Sequence, residues 1–330
     1  MNVRRRLISA TAVTAATALG LGALSACSSD SAATGNTDKF DVVASFYPMA
    51  FLAEQIGGDH ANVTSLTEPG QEPHDLEIST KQRAQLEEAD AALYLKGLQP
   101  AVDEAVSQTG IKTKIDAATL TTLEDHGNTE HAHEGEEGHA EEEGHAEEKG
   151  HSEEEEHARD PHIWLDPVKY AEVAEGVGKA FEKADPDHAA DYKKNTAALV
   201  KKLNDLNGEF ENGLKDTKTK VFFTNHAAFG YLAERYGLTQ EAISGLDPES
   251  EPSAARVREL QQEAKADGVT TVFYETLVSD KTAKTLAKDA KLKTDVLDPL
   301  EGITDKSRGD DYFQVMEANL KALRTALGAK

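Results

Sequence analysis

The sequence predicts an α/β protein of two similar (β/α) lobes with mostly parallel sheets, joined by one long rigid helix. Short runs of β-forming residues alternate with helical runs, which is typical of a parallel sheet with helices on both faces. This alternation occurs twice, once in each half of the chain. Between the halves, residues 187 to about 214 carry apolar side chains at a helical spacing over many turns. Two lobes and one connecting helix account for these observations.

The first half begins with a β-rich run over residues 41–47 that stops at Pro48. Residues 49–56 then have a helical spacing that ends at a pair of glycines. Ser79 is a predicted N-cap, because its hydroxyl can accept a hydrogen bond from the first turn of the next helix. The other predicted elements of this half are strands over 62–67, 91–96 and 111–115 and helices over 79–88 and 168–183.

The second half repeats the pattern of the first. Its predicted strands cover 220–224, 241–243, 270–274 and 294–297, and its predicted helices cover 227–236, 253–266, 281–290 and 312–327. These elements predict a first lobe over 40–186, an interlobe helix over 187–217 and a second lobe over 218–330.

An acidic, histidine-rich insert over residues 124–158 interrupts the first lobe. It holds seven of the twelve histidines, most of them six residues apart, and its charge predicts that it is disordered until something binds it. Imidazoles and carboxylates together suit divalent cations, zinc foremost, so the tract is a candidate for weak accessory metal sites. A plain solvated linker is the alternative, although the constant interval argues against it. The histidines are His126, His131, His133, His139, His145, His151 and His157.

The first residues have the form of an export signal. Three arginines precede an apolar run over residues 7–24, which is followed by small residues and the only cysteine, Cys27. The run is too short and too weakly apolar to be preferred as a membrane span. Its end resembles a bacterial lipobox, which would place a lipid on Cys27; a plain signal peptide is the alternative. We expect a lipoprotein signal peptide over 1–26, a flexible tether over 27–39 and a lipid anchor on the extracytoplasmic face of the cell membrane.

Length and charge narrow the class of protein. A chain of 330 residues can form two domains with substantial cores. The net charge is −25, and the tract accounts for more than half of it, so the globular part is only moderately acidic. The sequence has no basic patch interleaved with aromatic residues, and we therefore exclude nucleic-acid binding.

Three histidines outside the tract are candidates for metal ligands. His74 lies in EPHDLE, His162 in DPHIWLDP and His226 in TNHAAFGY, each in a loop beside a predicted strand or helix. Open α/β sheets place their ligands at such loops. His60 and His188 are predicted to be surface residues. Three neutral imidazoles and one carboxylate make a four-coordinate site suited to zinc.

Five longer phrases extend these motifs over most of the chain. They are SFYPMAFLAEQIGGD, EPHDLEIST, DPHIWLDPVKY, FFTNHAAFGYLAERYGL and DVLDPLEGI. With them, the chain resembles the metal-binding lipoproteins that feed ATP-binding-cassette (ABC) importers of zinc and manganese, specifically the zinc members of the ZnuA and AdcA type. The acidic insert falls where the zinc members carry theirs.

The resemblance implies a metal site in the cleft between the lobes. The family's first three ligands match His74, His162 and His226, and the fourth position varies among members. The matching phrase here is LDPLE, so we assign Glu301 as the fourth ligand. Asp298 in the same phrase and Glu275 in FYET are the competing carboxylates, and a water molecule is a further alternative.

The resemblance also implies the function. The protein is expected to be a monomeric, non-enzymatic solute-binding protein that captures Zn²⁺ outside the cytoplasm and delivers it to an ABC permease and its ATPase subunit. A manganese or iron importer subunit and a metal-dependent surface adhesin are the alternatives. A zinc hydrolase is disfavoured, because the sequence lacks an HExxH motif and a four-ligand site leaves no position for an activated water.

Overall fold

In the part of the chain that the structure describes, residues 39–126 and 159–330, eight short strands form two four-stranded parallel sheets. The structure is a computed structural model. Three predicted features lie outside the described residues: the signal peptide, the tether from Cys27 to residue 38, and the tract histidines from His131 to His157. The prediction of an α/β fold with parallel sheets is confirmed.

The first sheet is built from β1 (Phe40–Ala44), β2 (Ala61–Ser65), β3 (Ala91–Tyr94) and β4 (Thr113–Asp116), in the order β2-β1-β3-β4. Strand β1 pairs on both sides, with Val42 opposite Val63 in one neighbour and Ala91 in the other. The helices of this half are α1 (Tyr47–Gly57), α2 (Thr80–Glu88), α3 (Pro100–Gln108) and α4 (Pro167–Ala184).

The second sheet has the same topology as the first. It is built from β5 (Val221–Thr224), β6 (Thr239–Ala242), β7 (Thr271–Tyr274) and β8 (Lys293–Val296), in the order β6-β5-β7-β8. Its helices are α6 (Gly230–Arg235), α7 (Ala254–Ala266), α8 (Lys281–Ala290) and α9 (Tyr312–Leu327). In each sheet the second strand of the lobe lies at the edge and the first lies inside, which is the repeat expected from the sequence.

The long helix α5 (Ala189–Leu214) has 26 residues and therefore spans about 39 Å. It packs against α1 and α4 of the first half and against α9 of the second. One face is buried at helical spacing, through Tyr192, Thr196, Leu199, Leu203, Leu206, Phe210 and Leu214. The remaining faces are polar, and none of the helices over 39–126 and 159–330 is long and apolar enough to cross a membrane.

Two differences from the predicted elements involve prolines. Helix α1 begins at Tyr47, two residues before the predicted start, because Pro48 lies in the first turn, where a missing backbone N–H needs no partner. Helix α3 was absent from the prediction. It also begins with a proline, Pro100, and buries only Val102, Ala105 and Val106, so its apolar pattern is weak. The other predicted helices and strands are present, with ends that move by up to three residues.

Candidate metal site

The structure brings together the four residues assigned from the sequence. His74 follows β2, and His162 precedes the short 3₁₀ turn Ile163–Leu165 that leads into α4. His226 follows β5 and Glu301 follows β8. Each half of the molecule therefore supplies two of the four side chains. Three of these side chains are fully buried, and that of His74 is 12% exposed, so His74 lies nearest the solvent.

The donor atoms of the four side chains surround one small space. Glu301 Oε1 lies 3.3 Å from His74 Nε2, 3.3 Å from His162 Nε2 and 3.4 Å from His226 Nε2. The two nitrogens His162 Nε2 and His226 Nε2 are 3.4 Å apart. Four of the six donor-to-donor separations are thus nearly equal. We call this group the principal cluster.

The separations between these donor atoms distinguish a tetrahedral from an octahedral coordination geometry. Four donors placed about 2.0–2.1 Å from a tetrahedral ion, as around zinc, are about 3.3–3.4 Å from one another. Adjacent donors of an octahedral ion with similar bond lengths are only about 2.9 Å apart. The four separations fit the tetrahedral arrangement, so the cluster can accept a four-coordinate divalent cation with little movement of its donors.

His162 is oriented by a buried carboxylate. Its Nδ1 donates a hydrogen bond of 2.7 Å to Asp160 Oδ1, and its backbone N–H donates to the same oxygen at 2.9 Å. The Asp160 side chain is fully buried. A proton held on Nδ1 leaves the lone pair of Nε2 free for a metal, which is the usual carboxylate–histidine–metal arrangement. Asp160, within DPHIWLDP, was not predicted from the sequence to have a role, although an acid two residues before a candidate ligand was a usable signal.

Glu275 plays the corresponding part for His226. It accepts a hydrogen bond of 2.6 Å from His226 Nδ1, on the side of the ring opposite Nε2. Glu275 follows directly after β7 and is 4% exposed. Within the described residues, Glu275 is not part of the group of donor atoms that could hold a metal, and its contact is with Nδ1 of the candidate ligand His226.

Asp298, the other competing carboxylate, shapes the loop that presents Glu301. Its Oδ1 accepts a hydrogen bond of 2.9 Å from the backbone N–H of Leu300, and its own backbone N–H donates to Asn319 Oδ1 at 2.9 Å. Leu300 has a φ of +60°, a left-handed conformation that a leucine rarely adopts. The Trp164 indole donates to the carbonyl of Pro299 at 2.7 Å. Contacts from both halves thus hold the backbone just before Glu301 in a strained conformation.

The charges of the principal cluster are strongly coupled. Burial disfavours protonation of His226, but the nearby carboxylates of Glu275 and Glu301 outweigh it and raise the pKa of the imidazole well above its ordinary value. The pKa of His162 is also raised, because hydrogen bonds to Asp160 and Glu301 outweigh its burial. Burial alone would raise the pKa of Glu301, yet the three imidazoles hold it well below its usual range. The raised pKa values of His162 and His226 favour the protonated imidazoles, whose charge offsets that of the buried carboxylates.

Glu72 is a further carboxylate near the principal cluster, and it was not among the residues predicted from the sequence. Its Oε1 accepts a hydrogen bond of 2.9 Å from the backbone N–H of His74. Burial and the charge of Glu301 raise its pKa to about 8. It therefore fixes the loop that carries His74, and with this pKa it is largely protonated at neutral pH and adds little negative charge near the principal cluster.

The histidines predicted to lie on the surface are placed away from this cluster. His60 and His188 stack with their ring centroids 4.1 Å apart, and their side chains are each 32% exposed. His60 pairs with Asp191, and His188 pairs with Asp185. Neither histidine belongs to a group of candidate metal donors among the described residues.

The fold and the cluster together define a class: a two-lobed α/β protein with a buried group of metal donors contributed by both lobes. Comparison with known proteins agrees with this description. The family model for the zinc-uptake complex component A, periplasmic, matches residues 42–326. The chain belongs to this family.

Individual relatives give the extent of the similarity. The chain is 39% identical to the zinc-binding lipoprotein AdcA of Streptococcus pneumoniae over 311 residues, which cover 91% of this chain and 58% of that protein. It therefore spans little more than half the length of AdcA. It is 35% identical to the high-affinity zinc uptake system protein ZnuA of Bacillus subtilis, over 94% of this chain and 98% of that protein. Among solved structures, the Zn(II)-bound ZnuA-like domain of S. pneumoniae AdcA is similar, with a TM-score of 0.69 and 35% identity, covering 88% of this chain and 99% of that domain.

Proposed function

We propose that this protein captures Zn²⁺ at His74, His162, His226 and Glu301 and delivers it to an ABC importer. The observation that carries the proposal is the set of nearly equal donor separations, 3.3–3.4 Å, which fits a tetrahedral ion with zinc-like bonds. Three imidazoles and one carboxylate are also a donor set that suits zinc. The zinc-related names of the relatives support the choice of metal.

Capture follows from the supply of donors by both halves. Zinc would bridge His74 and His162 of the first half to His226 and Glu301 of the second. Binding would displace the protons that balance Glu301 in the metal-free cluster, because only a neutral imidazole can ligate zinc. The helix α5 packs along both halves and limits how far they can separate. Loading would therefore involve local movement of the loops around His74, the most exposed of the four residues.

Delivery requires the protein to work outside the cytoplasm, next to its transporter. A lipid on Cys27 and the tether over residues 27–39 would hold a monomer at the extracytoplasmic face of the cell membrane, within reach of a permease and its ATPase subunit. We also propose that the first lobe covers residues 40–186, the interlobe helix 187–217 and the second lobe 218–330. The histidines of the tract are proposed to bind zinc weakly as accessory sites.

The same donor set argues against two other functions. Manganese favours oxygen-rich octahedral sites, whereas three of the four donors here are imidazoles. A hydrolytic zinc site keeps one coordination position open for water, whereas this cluster offers a protein donor for each of the four positions. The protein is therefore proposed to be a carrier of zinc and not an enzyme.

Metal analysis and uptake measurements test the proposal. Purified full-length protein equilibrated with equal concentrations of Zn²⁺ and Mn²⁺ should retain one tightly bound zinc, and a strain lacking the protein should grow poorly at low zinc. We expect the wild-type protein, but not the Glu301→Gln variant, to restore growth of this strain at low zinc. Preferential retention of manganese would overturn the choice of metal. Normal zinc uptake in the deletion strain, with loss of attachment to host matrix, would instead favour an adhesin.

A further inference from the structure

A second group of metal-binding side chains lies where the histidine-rich tract leaves the described chain. Donor atoms of Glu124, His126 and Glu234 lie within 4.8 Å of one another, and we call this group the outer cluster. His126 Nε2 is 3.0 Å from Glu234 Oε2. Glu124 and Glu234 each have a carboxylate that faces the same imidazole. One imidazole and two carboxylates are ligands that borderline divalent cations accept.

His126 is held in the way that a metal ligand is held. Its Nδ1 donates a hydrogen bond of 2.9 Å to Asp160 Oδ2, while the other oxygen of Asp160 accepts from Nδ1 of His162 at 2.7 Å. A single buried carboxylate therefore orients one histidine of the principal cluster and one of the outer cluster. Both rings place Nδ1 against Asp160 and direct Nε2 towards a glutamate, Glu301 for one and Glu234 for the other.

The packing around His126 is built for this position. A Cβ atom added to Gly230, at the start of α6, would lie 2.4 Å from His126 Cβ and 2.9 Å from Asp160 Oδ2. No side chain fits at Gly230 while His126 and Asp160 stay where they are. The ring of Tyr231 meets that of His126 edge to face at 4.5 Å, and its hydroxyl donates to the carbonyl of Asp160 at 2.8 Å.

The backbone fixes the cluster at the neck of the insert. The N–H of Asp160 donates to the carbonyl of Glu124 at 2.9 Å, and the N–H of Glu124 donates to the hydroxyl of Tyr231 at 2.8 Å. The two ends of the tract therefore meet beside the principal cluster, and His126 is the one tract histidine within the described residues.

We infer that Glu124, His126 and Glu234 form a second, weaker site for Zn²⁺, coupled to the principal cluster through Asp160. Zinc would replace the proton on His126 Nε2 and would be held by the two carboxylates. Among the described residues, three protein donors surround this position, which leaves the fourth position of a tetrahedral ion for exchange and suits weak, reversible binding. The inference deepens the weak accessory binding included in the proposed function: it assigns that binding to His126 together with Glu124 and Glu234, and it adds the coupling through Asp160. It holds whether or not zinc is delivered to an importer.

Solvent and a neighbouring lysine explain why the site would be weak. The side chain of Glu234 is 59% exposed and that of Glu124 is 37% exposed, so water competes for both carboxylates. One oxygen of Glu124 also accepts a hydrogen bond of 2.7 Å from Lys169 Nζ. A zinc ion would have to share this carboxylate with the ammonium group. A purely structural ion pair between a protonated His126 and its two acidic neighbours is the competing explanation.

The stoichiometry of zinc binding distinguishes the two explanations. The full-length chain with the other six tract histidines changed to alanine (His131, His133, His139, His145, His151 and His157) should bind two zinc ions, the second at least 100-fold more weakly than the first. Adding His126→Ala should abolish the second equivalent, and adding Glu234→Gln should weaken it about tenfold. Glu209→Gln, which changes an exposed carboxylate on α5, is the matched control and should change neither equivalent.

Each outcome of this titration is decisive. One zinc per chain in the six-histidine variant, or a second equivalent that survives His126→Ala, would overturn the second site. A His126→Ala variant that loses thermal stability but keeps two equivalents would establish the structural ion pair instead. The first, tight equivalent reports folding of every variant. Its absence from all variants would count against the proposed function and not against the outer cluster.

Discussion

The principal cluster and the outer cluster contain the same kinds of side chain but differ in burial. Three of the four side chains in the principal cluster are fully buried, whereas the side chains of the outer cluster are 17% to 59% exposed. Asp160 is common to both and orients a histidine in each. The two clusters therefore differ in their surroundings and also in their donors, which are three imidazoles and one carboxylate in one cluster and one imidazole and two carboxylates in the other.

Burial changes how much free energy a carboxylate oxygen gains when it binds a cation. The oxygen Glu301 Oε2 is buried without a hydrogen-bond partner in the described chain, which is unfavourable by about 1–3 kcal/mol or more for a charged group. A cation that binds there replaces an unfavourable arrangement. In the outer cluster, water already solvates the carboxylates, so a cation gains less. The same residue types should thus give one tight site and one exchangeable site.

The largest expected effect is the removal of a principal ligand. His226→Ala or Glu301→Gln should weaken zinc binding by more than about 100-fold, because even the loss of a residue that only orients a ligand typically reduces affinity 10–100-fold. Isothermal titration calorimetry with a competing chelator measures the change. His60→Ala, which removes a histidine outside both clusters, is the control. Equal losses in His60→Ala and His226→Ala would remove the distinction between the cluster and the surface histidines.

Acid should have the next largest effect. The raised pKa values of His162 and His226 mean that protons compete with zinc already above the ordinary histidine value of about 6.5. For each imidazole that must lose a proton to bind zinc, the zinc affinity should fall about tenfold for each unit by which the pH decreases below the pKa of that imidazole. Chelator competition between pH 8 and pH 5.5 measures this slope.

The metal-free protein should respond to pH in the opposite sense. A histidine whose pKa is raised by folding contributes stability that is fully present below about pH 6.5 and is lost as the pH rises through the folded-state value. The melting temperature of the metal-free protein should therefore decrease from pH 6 to pH 8, while that of the zinc-loaded protein should not. Parallel pH profiles for the two forms would contradict the coupling between the imidazoles and Glu301.

Changing the orienting carboxylates should have a smaller effect and should separate the clusters. Glu275→Gln and Asp160→Asn should each weaken the principal site by about 10–100-fold, because a neutral amide oxygen accepts from Nδ1–H more weakly than a carboxylate and raises the basicity of the ring less. Only Asp160→Asn should also weaken the second zinc equivalent, since Glu275 contacts His226 and does not contact His126. The two variants are matched, and equal effects on the second equivalent would show that Asp160 does not link the clusters.

Local sequence signals predicted much of the fold. The repeated alternation of strands and helices predicted two similar parallel sheets, because each element buries a face whose apolar spacing depends on its own backbone geometry. Ser79 was predicted as a helix cap, and the structure shows both hydrogen bonds of a capping box there. The missed helix α3 buries too few apolar residues for its period to be apparent in the sequence.

The sequence alone pointed to some of the candidate ligands, whereas the choice among the carboxylates needed the structure. His74, His162 and His226 were selected from the sequence because each lies in a short loop beside a strand or helix, where open α/β sheets bind ligands. The sequence left Glu301, Asp298 and Glu275 as competing carboxylates. Only the tertiary structure distinguishes the three carboxylates. Glu301 faces the three Nε2 atoms, Glu275 faces Nδ1 of His226, and Asp298 accepts from the backbone.

The sequence by itself determined the class of fold, three of the candidate ligands and the presence of an acidic histidine tract, because these are properties of local pattern and composition. The tertiary structure decided which carboxylate joins the histidines and that Asp160 connects His162 to His126. It also decided that Gly230 leaves the space this connection needs. These relations join residues that are up to 227 positions apart in sequence, and the packing of the two halves alone brings them within hydrogen-bonding distance.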